Sequence, residues 1–136
     1  MVKLAIVAVA DTQTPEGLGR VVNALEAAKE FKNAHDDVQL IFDGAGPKWI
    51  PEREQPEHKL HGLYTAVKDQ IGGACEFCAG AFGVTDMVVA GGIKLAGEYA
   101  GHPSFKKLVS RGYQIITYEP VRLNSISVMR NCASSM

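Results

Sequence analysis

Near its start the sequence reads Lys3-Leu-Ala-Ile-Val-Ala-Val9, a run in which every residue after Lys3 is apolar. Runs of this kind are typical of strands that are covered on both faces of a sheet. A polar loop follows, and Thr14 is placed to cap a helix whose first residue is Pro15. Apolar residues then recur at helical spacing at Leu18, Val21, Val22, Leu25 and Ala28. The opening therefore predicts a buried strand followed by a helix over 15–33.

The rest of the chain repeats this alternation of apolar runs and amphipathic stretches. Strands are predicted over 38–42, 74–78, 93–96 and 113–118, and further helices over 57–71 and 103–111. Gly72 and Gly73 are interpreted as the end of the first of these helices. Strands that alternate with helices form βαβ units, so we expect an α/β fold with a mainly parallel sheet and helices on both faces. We expect one domain over 1–136, in which 121–136 is a C-terminal tail.

The segment 44–56 interrupts this pattern. It contains prolines at 47, 51 and 56 and the only tryptophan of the chain, Trp49. Its composition predicts a long irregular loop, and such loops are commonly lids or binding loops. Trp49 is therefore a candidate ligand-binding residue.

Composition excludes several classes of partner. The 136 residues carry a net charge of −1, which offers no basic surface to nucleic acid and no polybasic patch to a membrane. No apolar run approaches the roughly 20 residues that a transmembrane helix needs. The opening run is short for a secretory signal and has one basic residue before it, so it is interpreted as a strand. We expect a cytoplasmic protein with neither nucleic acid nor a membrane as partner.

The most informative chemical feature is Cys78, predicted at the end of the third strand, where the chain turns into the small residues Ala79-Gly-Ala-Phe-Gly83. If a helical turn follows, its exposed amides favour the thiolate, which is the nucleophilic form of cysteine. Cys78 is then a nucleophile or a sulfur carrier. The alternative is an inert buried cysteine, because free cysteine is among the most buried residue types.

Cys75 lies three residues before Cys78, and in a straight strand the two side chains point to opposite faces. A disulfide between them requires the turn to begin by Phe77. Cys75 is either a resolving thiol or a core residue. Structural zinc usually takes four Cys or His ligands, and the chain has no second pair of cysteines, so no metal site and no cofactor are predicted. Cys132, near the end of the chain, is interpreted as a tail thiol without a role.

Polar residues follow other predicted strands. In parallel sheets ligands bind beyond the carboxyl ends of the strands, and Asp11, Asp43 and Cys78 are predicted at three of these ends. The two aspartates are candidates to bind a ligand cation or to assist proton transfer, although Asp after a strand commonly only forms a turn. His102, which precedes Pro103, is either a general base near Cys78 or a loop residue at a helix start.

The motif Cys75-Glu-Phe-Cys78-Ala-Gly-Ala-Phe-Gly83, the opening strand and the closing run Gly112-Tyr-Gln-Ile-Ile-Thr-Tyr118 resemble the DsrE/DsrF-like family. That family includes the TusBCD sulfur-relay subunits and YchN-like proteins. The resemblance implies a three-layer α/β/α sandwich with about five largely parallel strands. It also implies homo-oligomers, often trimers or hexamers, with the cysteine in a cleft near a subunit boundary. At the matching position, Cys78 is expected to carry a persulfide between a sulfur donor protein and an acceptor protein.

Three functions remain open from the sequence. The first is sulfur transfer through a persulfide on Cys78. The second is thiol–disulfide redox chemistry by the pair Cys75 and Cys78. The third is a non-catalytic module that binds a small ligand or a partner in a cleft under the Trp49 loop.

Overall fold

The computed structural model of the protein describes residues 1–119. Five parallel strands form one sheet in the order β4-β3-β2-β1-β5. The strands are β1 Lys3–Ala8, β2 Asp37–Phe42, β3 Ile71–Cys75, β4 Leu95–Ala96 and β5 Gln114–Tyr118. The helices are α1 Pro15–Asn33, α2 Trp49–Glu54, α3 His61–Val67, α4 Glu76–Ala81, α5 Thr85–Ala90 and α6 Phe105–Ser110.

The first helix begins where the sequence predicts. The Thr14 hydroxyl accepts a hydrogen bond of 3.0 Å from the amide of Gly17, and Pro15 occupies the first helical position. Both features satisfy or remove amide donors that a helix start leaves unpaired. The buried stripe of α1 includes Val21, Leu25 and Ala28, as its spacing predicts. The helix over 15–33 is confirmed with both ends unchanged.

The path of the chain through the sheet sets the layers. From β1 to β4 each strand is added on the same side, and β5 returns to pair with β1 on the other side. Because crossovers between parallel strands are right-handed, the connection to β5 runs over the opposite face from the earlier ones. Accordingly α1 packs on α3, and α2 packs on α3 and α5, whereas Leu108 of α6 lines a cavity of about 240 Å³ together with Ile41 of β2. The fold is a three-layer α/β/α sandwich, and the predicted fold class is confirmed.

The main apolar core lies between the sheet and the face that carries α1. Its largest fully buried apolar side chains are Leu4, Ile6, Val21, Leu25, Leu40, Phe42, Ile50, Tyr64, Val67 and Val88. At roughly 25 cal/mol per Å² of apolar surface, burial of each such side chain contributes on the order of 1.5–3 kcal/mol. This packing holds the carboxyl ends of the strands in fixed positions, which is what a site at that edge requires.

The third strand is displaced from its prediction. It runs over Ile71–Cys75, and the predicted helix over 57–71 shortens to α3 with a 3₁₀ turn at Lys68–Gln70. Gly72 and Gly73 lie inside β3 and do not end a helix. A Cβ on Gly73 would come within 3.1 Å of both Ala96 Cβ and Lys94 O, so glycine lets the short strand β4 approach closely. The remaining predicted helix and strands are present, and their ends shift by no more than two residues.

The proline-rich segment is helical, so the prediction of an irregular loop was wrong. A 3₁₀ turn over Gly46–Lys48 leads into α2. Pro47 and Pro51 lie in first turns, where a missing amide proton costs no hydrogen bond. The side chain of Trp49 is buried, and its indole N–H donates a hydrogen bond of 2.8 Å to Ala10 O. Trp49 is thus part of the core of the described chain.

Two further predictions concern the ends and the surface of the chain. The predicted tail over 121–136 and Cys132 lie outside the described residues. Within residues 1–119, the helices are too short or too polar to cross a membrane.

Candidate functional site

Three segments of the chain meet at the carboxyl edge of the sheet. Asp43 directly follows β2, Cys75 is the last residue of the adjacent strand β3, and His102 lies in the loop after β4. The sulfur atoms of Cys75 and Cys78 and a carboxylate oxygen of Asp43 all lie within 4.8 Å of one another. We call Asp43, Cys75, Cys78 and His102 the thiol cluster. It lies at the ends of β2, β3 and β4, and not at the switch point between β1 and β5.

The sequence predicts Cys78 at the end of a strand, and this prediction is wrong. The strand ends at Cys75, helix α4 begins at Glu76, and Cys78 lies in its first turn. Residues three apart at a helix start are neighbours, so the opposite orientation of a straight strand does not apply to these two thiols. The condition for their pairing, a turn that begins by Phe77, is met. Both cysteines are free thiols in this structure.

Cys75 is sealed in the protein. Its side chain is 0% exposed, and its sulfur accepts a 3.4 Å hydrogen bond from the amide of Cys78 as the cap of α4. The same sulfur lies 3.8 Å from Gly101 O and 3.5 Å from His102 Nδ1. Burial is the largest influence on this group and raises the pKa of the Cys75 thiol to about 12, because a thiolate is poorly solvated there. Cys75 is therefore a protonated thiol near neutral pH.

Cys78 differs from Cys75 in its access to solvent. It is only half-buried, and its thiol donates to Asp43 Oδ1 over 3.6 Å. The same carboxylate oxygen accepts a hydrogen bond of 2.8 Å from the amide of Gly44, and this bond fixes the orientation of the carboxylate. Asp43 Oδ1 is thus within hydrogen-bond distance of the Cys78 thiol.

The amides at the start of α4 do not act as the sequence predicts. The sequence predicts that they favour a thiolate at Cys78. Instead the Phe77 amide donates a hydrogen bond of 2.8 Å to Gly101 O, and the Cys78 amide donates one to the Cys75 sulfur. The reason is the earlier end of β3, which makes Cys75 the cap of the helix. The prediction that amides at the helix start favour a thiolate at Cys78 is therefore wrong for these two amides.

A tight turn brings His102 to the cluster. Tyr99 and His102 exchange backbone hydrogen bonds of 3.0 and 2.8 Å, and the two residues between them, Ala100 and Gly101, have φ values of 50° and 83°. Positive φ at both central positions is the geometry of a two-residue hairpin turn. The His102 ring then lies 5.0 Å from the ring of Phe77. Its Nδ1 faces Cys75 and not Cys78, so the expected role as a base beside Cys78 is not what the contacts favour.

The other predicted ligand-binding residues are engaged elsewhere. Asp11 forms an ion pair of 2.8 Å with Lys48, and the hydrogen bond from Lys48 holds the pKa of the Asp11 carboxyl below its usual range. The Lys48 ammonium also lies 5.3 Å from the centre of the Phe82 ring. Trp49 packs in the core with its ring under the guanidinium of Arg53. Of the predicted site residues, the structure brings together Asp43, Cys75, Cys78 and His102.

The sequence reasoning missed the part played by Gly101. Its carbonyl accepts the Phe77 amide and contacts the Cys75 thiol. The available signal was the pair Ala100-Gly101 next to His102, because glycine in such a pair commonly marks a turn with positive φ. A turn at that point shows that His102 is held by the backbone next to α4.

Fold and site together define a class of small α/β proteins with two neighbouring thiols at the carboxyl edge of a parallel sheet. The chain is 33% identical over 96 residues to the uncharacterized protein MJ0733 of Methanocaldococcus jannaschii, a match that covers 71% of this chain and 78% of that protein. The chain belongs to the same family as that protein. No family model matches the chain.

Among solved structures, the chain is similar to the conserved protein of unknown function BT1422 from Bacteroides thetaiotaomicron. The superposition has a TM-score of 0.61 with 22% sequence identity, and it covers 85% of this chain and 93% of the other. Likeness at this level of identity establishes the shared fold.

Proposed function

We propose that the protein is a sulfur carrier of the DsrE/DsrF-like kind, in which Cys78 receives a sulfane sulfur and passes it to a partner thiol. The observation that carries the proposal is the unequal access of the two thiols. Cys78 is half-buried beside Asp43, whereas Cys75 is sealed. Thiol exchange depends on thiolate and on access, so Cys78 is the better nucleophile.

The transfer proceeds by two displacements at sulfur. The Cys78 thiol gives its proton to Asp43, whose oxygen already accepts its hydrogen bond, and the resulting thiolate attacks the outer sulfur of a donor persulfide R–S–SH. A new S–S bond forms on Cys78, the donor S–S bond breaks, and the donor leaves as R–S⁻. An acceptor thiolate then attacks the outer sulfur on Cys78, and the S–S bond to Cys78 breaks. The departing Cys78 thiolate takes back its proton from Asp43.

The surface next to Cys78 supports the proposed homo-oligomer, a trimer or hexamer. Several large apolar side chains on α4, at its C-terminal cap and on α5 are about half exposed. They are Phe77, Phe82, Met87 and Val89, with exposed fractions of 60%, 45%, 48% and 55%. Neighbouring exposed apolar side chains favour contact with another protein surface. Between transfers the carrier must keep Cys78 as a free thiol, which a reducing compartment maintains, and this favours the cytoplasm.

The test is the intact mass of the full chain after treatment with a small-molecule persulfide and removal of excess reagent. All proteins carry Cys132→Ser, so that the third thiol does not contribute. We expect a gain of one sulfur atom that persists in Cys75→Ser and disappears in Cys78→Ser. Absence of the adduct from the protein with both thiols and from Cys75→Ser would refute sulfur carriage, and an adduct retained in Cys78→Ser would assign it elsewhere.

A second candidate, dithiol–disulfide redox chemistry, rests on a separate observation. The sulfurs of Cys75 and Cys78 lie within 4.8 Å across the first turn of α4. A two-electron oxidant of the disulfide class would join them with loss of both thiol hydrogens. Equilibration in glutathione buffers, read by mass after acid quench, tests this candidate: a measurable potential supports it, and two free thiols in fully oxidised buffer would rule it out.

A further inference from the structure

We propose that Asp43, Cys75, Cys78 and His102 form a binding site for a thiophilic divalent cation of the zinc class. The inference goes beyond sulfur transfer and does not depend on it. It starts from the donor atoms. The cluster offers two sulfurs and a carboxylate oxygen within 4.8 Å of one another, and an imidazole nitrogen 3.5 Å from one of the sulfurs. Four donors of these types make a complete tetrahedral set.

The distances between donors agree with those around a tetrahedral ion. Metal bonds of about 2.3 Å to sulfur and about 2.1 Å to oxygen or nitrogen place these ligands roughly 3.6 Å apart. The separation of Cys78 Sγ from Asp43 Oδ1 is 3.6 Å, and that of Cys75 Sγ from His102 Nδ1 is 3.5 Å. Two edges of the tetrahedron are thus already present. Asp43, Cys75 and Cys78 already lie within 4.8 Å of one another. The His102 ring, which contacts Cys75, must turn toward Cys78 and Asp43 to complete the set.

The backbone holds each donor independently. Asp43 lies in a turn closed by a 2.7 Å hydrogen bond from the Gly46 amide to its carbonyl. Cys75 and Cys78 are fixed by the end of β3 and the start of α4. His102 is fixed by its two backbone hydrogen bonds to Tyr99. Because the backbone of each donor is held by its own contacts, binding of an ion costs little ordering of the chain.

The donor types select the ion. Two thiolates with an imidazole favour zinc and similar borderline or soft cations, whereas magnesium and calcium prefer sites made of oxygen ligands. On binding, each thiol loses its hydrogen to solvent. The two thiolates then balance the charge of the dication, and the Asp43 carboxylate adds one further negative ligand. Because all four positions are filled by the protein, the ion would occupy Cys78 and block its exchange chemistry.

The experiment titrates the full chain with Co²⁺, a coloured stand-in for zinc, under reducing conditions. The protein carries Cys132→Ser throughout. We expect one ion per chain, with thiolate-to-metal absorption in the near ultraviolet, tetrahedral bands in the visible, and displacement by Zn²⁺. Cys75→Ser and Cys78→Ser should each weaken binding at least tenfold, and so should Asp43→Asn and His102→Gln.

Matched controls separate the site from adventitious binding. Asp11→Asn and His58→Gln change the same residue types outside the thiol cluster and should bind as the parent does. Circular dichroism verifies the fold of each variant, and the half-buried Cys78→Ser supplies the decisive result if Cys75→Ser does not fold. Lack of uptake by the parent, or parent-like affinity in Cys78→Ser and Asp43→Asn, would overturn the proposal. The Cys75→Ser variant separates metal binding from sulfur carriage, because it should still take up sulfur from a persulfide while its metal binding is weakened.

Discussion

The amide of Cys78 donates a hydrogen bond of 3.4 Å to the sulfur of Cys75, so the deeper thiol caps the helix that carries the shallower one. This relationship makes the two cysteines chemically unequal. Cys75 is held by the helix start, by Gly101 O and by His102. Cys78 is half-buried, and its thiol donates to Asp43. Any chemistry of the pair that begins from solvent must therefore begin at Cys78.

The first prediction concerns the order of alkylation in a Cys132→Ser background. Iodoacetamide should modify Cys78 at least about tenfold faster than Cys75 in the folded protein, because access and thiolate character both govern thiol reactivity. Burial opposes both at Cys75, whose side chain is 0% exposed. Peptide mapping of timed samples measures the two rates, and the same reaction in urea provides the unfolded control. Equal rates in the folded state would contradict the sealed position of Cys75.

The second prediction uses the ion pair between Lys48 and Asp11. Lys48 holds the pKa of Asp11 below its usual value. A carboxyl whose pKa is lowered by folding adds stability above its unfolded pKa of about 3.9, and this contribution is lost as the pH falls through the folded pKa. Lys48→Met should therefore cost stability near pH 6 and nothing near pH 2. With 40% of the Asp11 side chain exposed, the cost should be about 0.2–1 kcal/mol.

Urea unfolding at pH 6, 4 and 2 measures this difference, and an NMR titration of the Asp11 carboxyl should show its pKa rise in Lys48→Met. Lys106→Met, which replaces an exposed lysine on α6, is the matched control and should have the same small effect at every pH. A cost for Lys48→Met that stays constant down to pH 2 would show that the ion pair is not its source.

The third prediction concerns Arg53, which is 0% exposed. Its guanidinium lies 4.5 Å from the Trp49 ring, and Nη1 lies 3.2 Å from His58 Nδ1. Among the described residues, its Nε and Nη2 atoms have no hydrogen-bond partner. Burial lowers the pKa of Arg53 to about 10, because the charged form loses its solvation.

An apolar side chain of similar length should therefore be tolerated at this position. We expect Arg53→Met to leave the free energy of unfolding unchanged or to raise it by about 1 kcal/mol or more. Arg53→Ala should lower it by roughly 2–4 kcal/mol, because it leaves a cavity. Far-ultraviolet circular dichroism in urea is the measurement, since Arg53 contacts the fluorophore Trp49. A loss in Arg53→Met as large as that in Arg53→Ala would show that the charge itself stabilises the fold.

The part of the fold that local sequence signals specify could be predicted. Thr14, Pro15 and a regular apolar stripe fix both the start and the face of α1, and all three act within the helix itself. By contrast, Gly72 and Gly73 locally favour the end of a helix, yet their role is the approach of β4 to β3. That contact joins residues far apart in the chain. The local pattern does not show this contact. The prediction therefore placed β3 three residues too late and put Cys78 at its end.

The candidate site divides in the same way. The positions of Asp43 and of the cysteines near strand ends follow from the alternation of strands and helices. The contact between His102 and Cys75 does not, because it depends on a turn in which Ala100 adopts a φ of 50°. A non-glycine residue in that region carries strain that only the surrounding structure compensates. Trp49 could not be placed either, since its hydrogen bond to Ala10 O joins two segments that show no local relation.

The last prediction compares two glycines in the first turns of α1. A Cβ on Gly17 would lie 2.0 Å from the backbone oxygen of Asp11, whereas a Cβ on Gly19 would meet nothing within 4 Å. Gly17→Ala should therefore lower the free energy of unfolding by about 1–3 kcal/mol or more, because a backbone atom must move. Gly19→Ala should raise it by roughly 0.4–1 kcal/mol, because alanine restricts the unfolded chain and favours helix.

Urea unfolding of both variants, which have identical composition, measures the contrast directly. Because Gly17 contacts the loop that carries Asp11 and not the thiol cluster, alkylation of Cys78 in folded Gly17→Ala should proceed at the parent rate. Stabilisation by both substitutions would show that the loop after β1 is free to yield, and the close approach of Asp11 O to α1 would then not be a constraint on the fold.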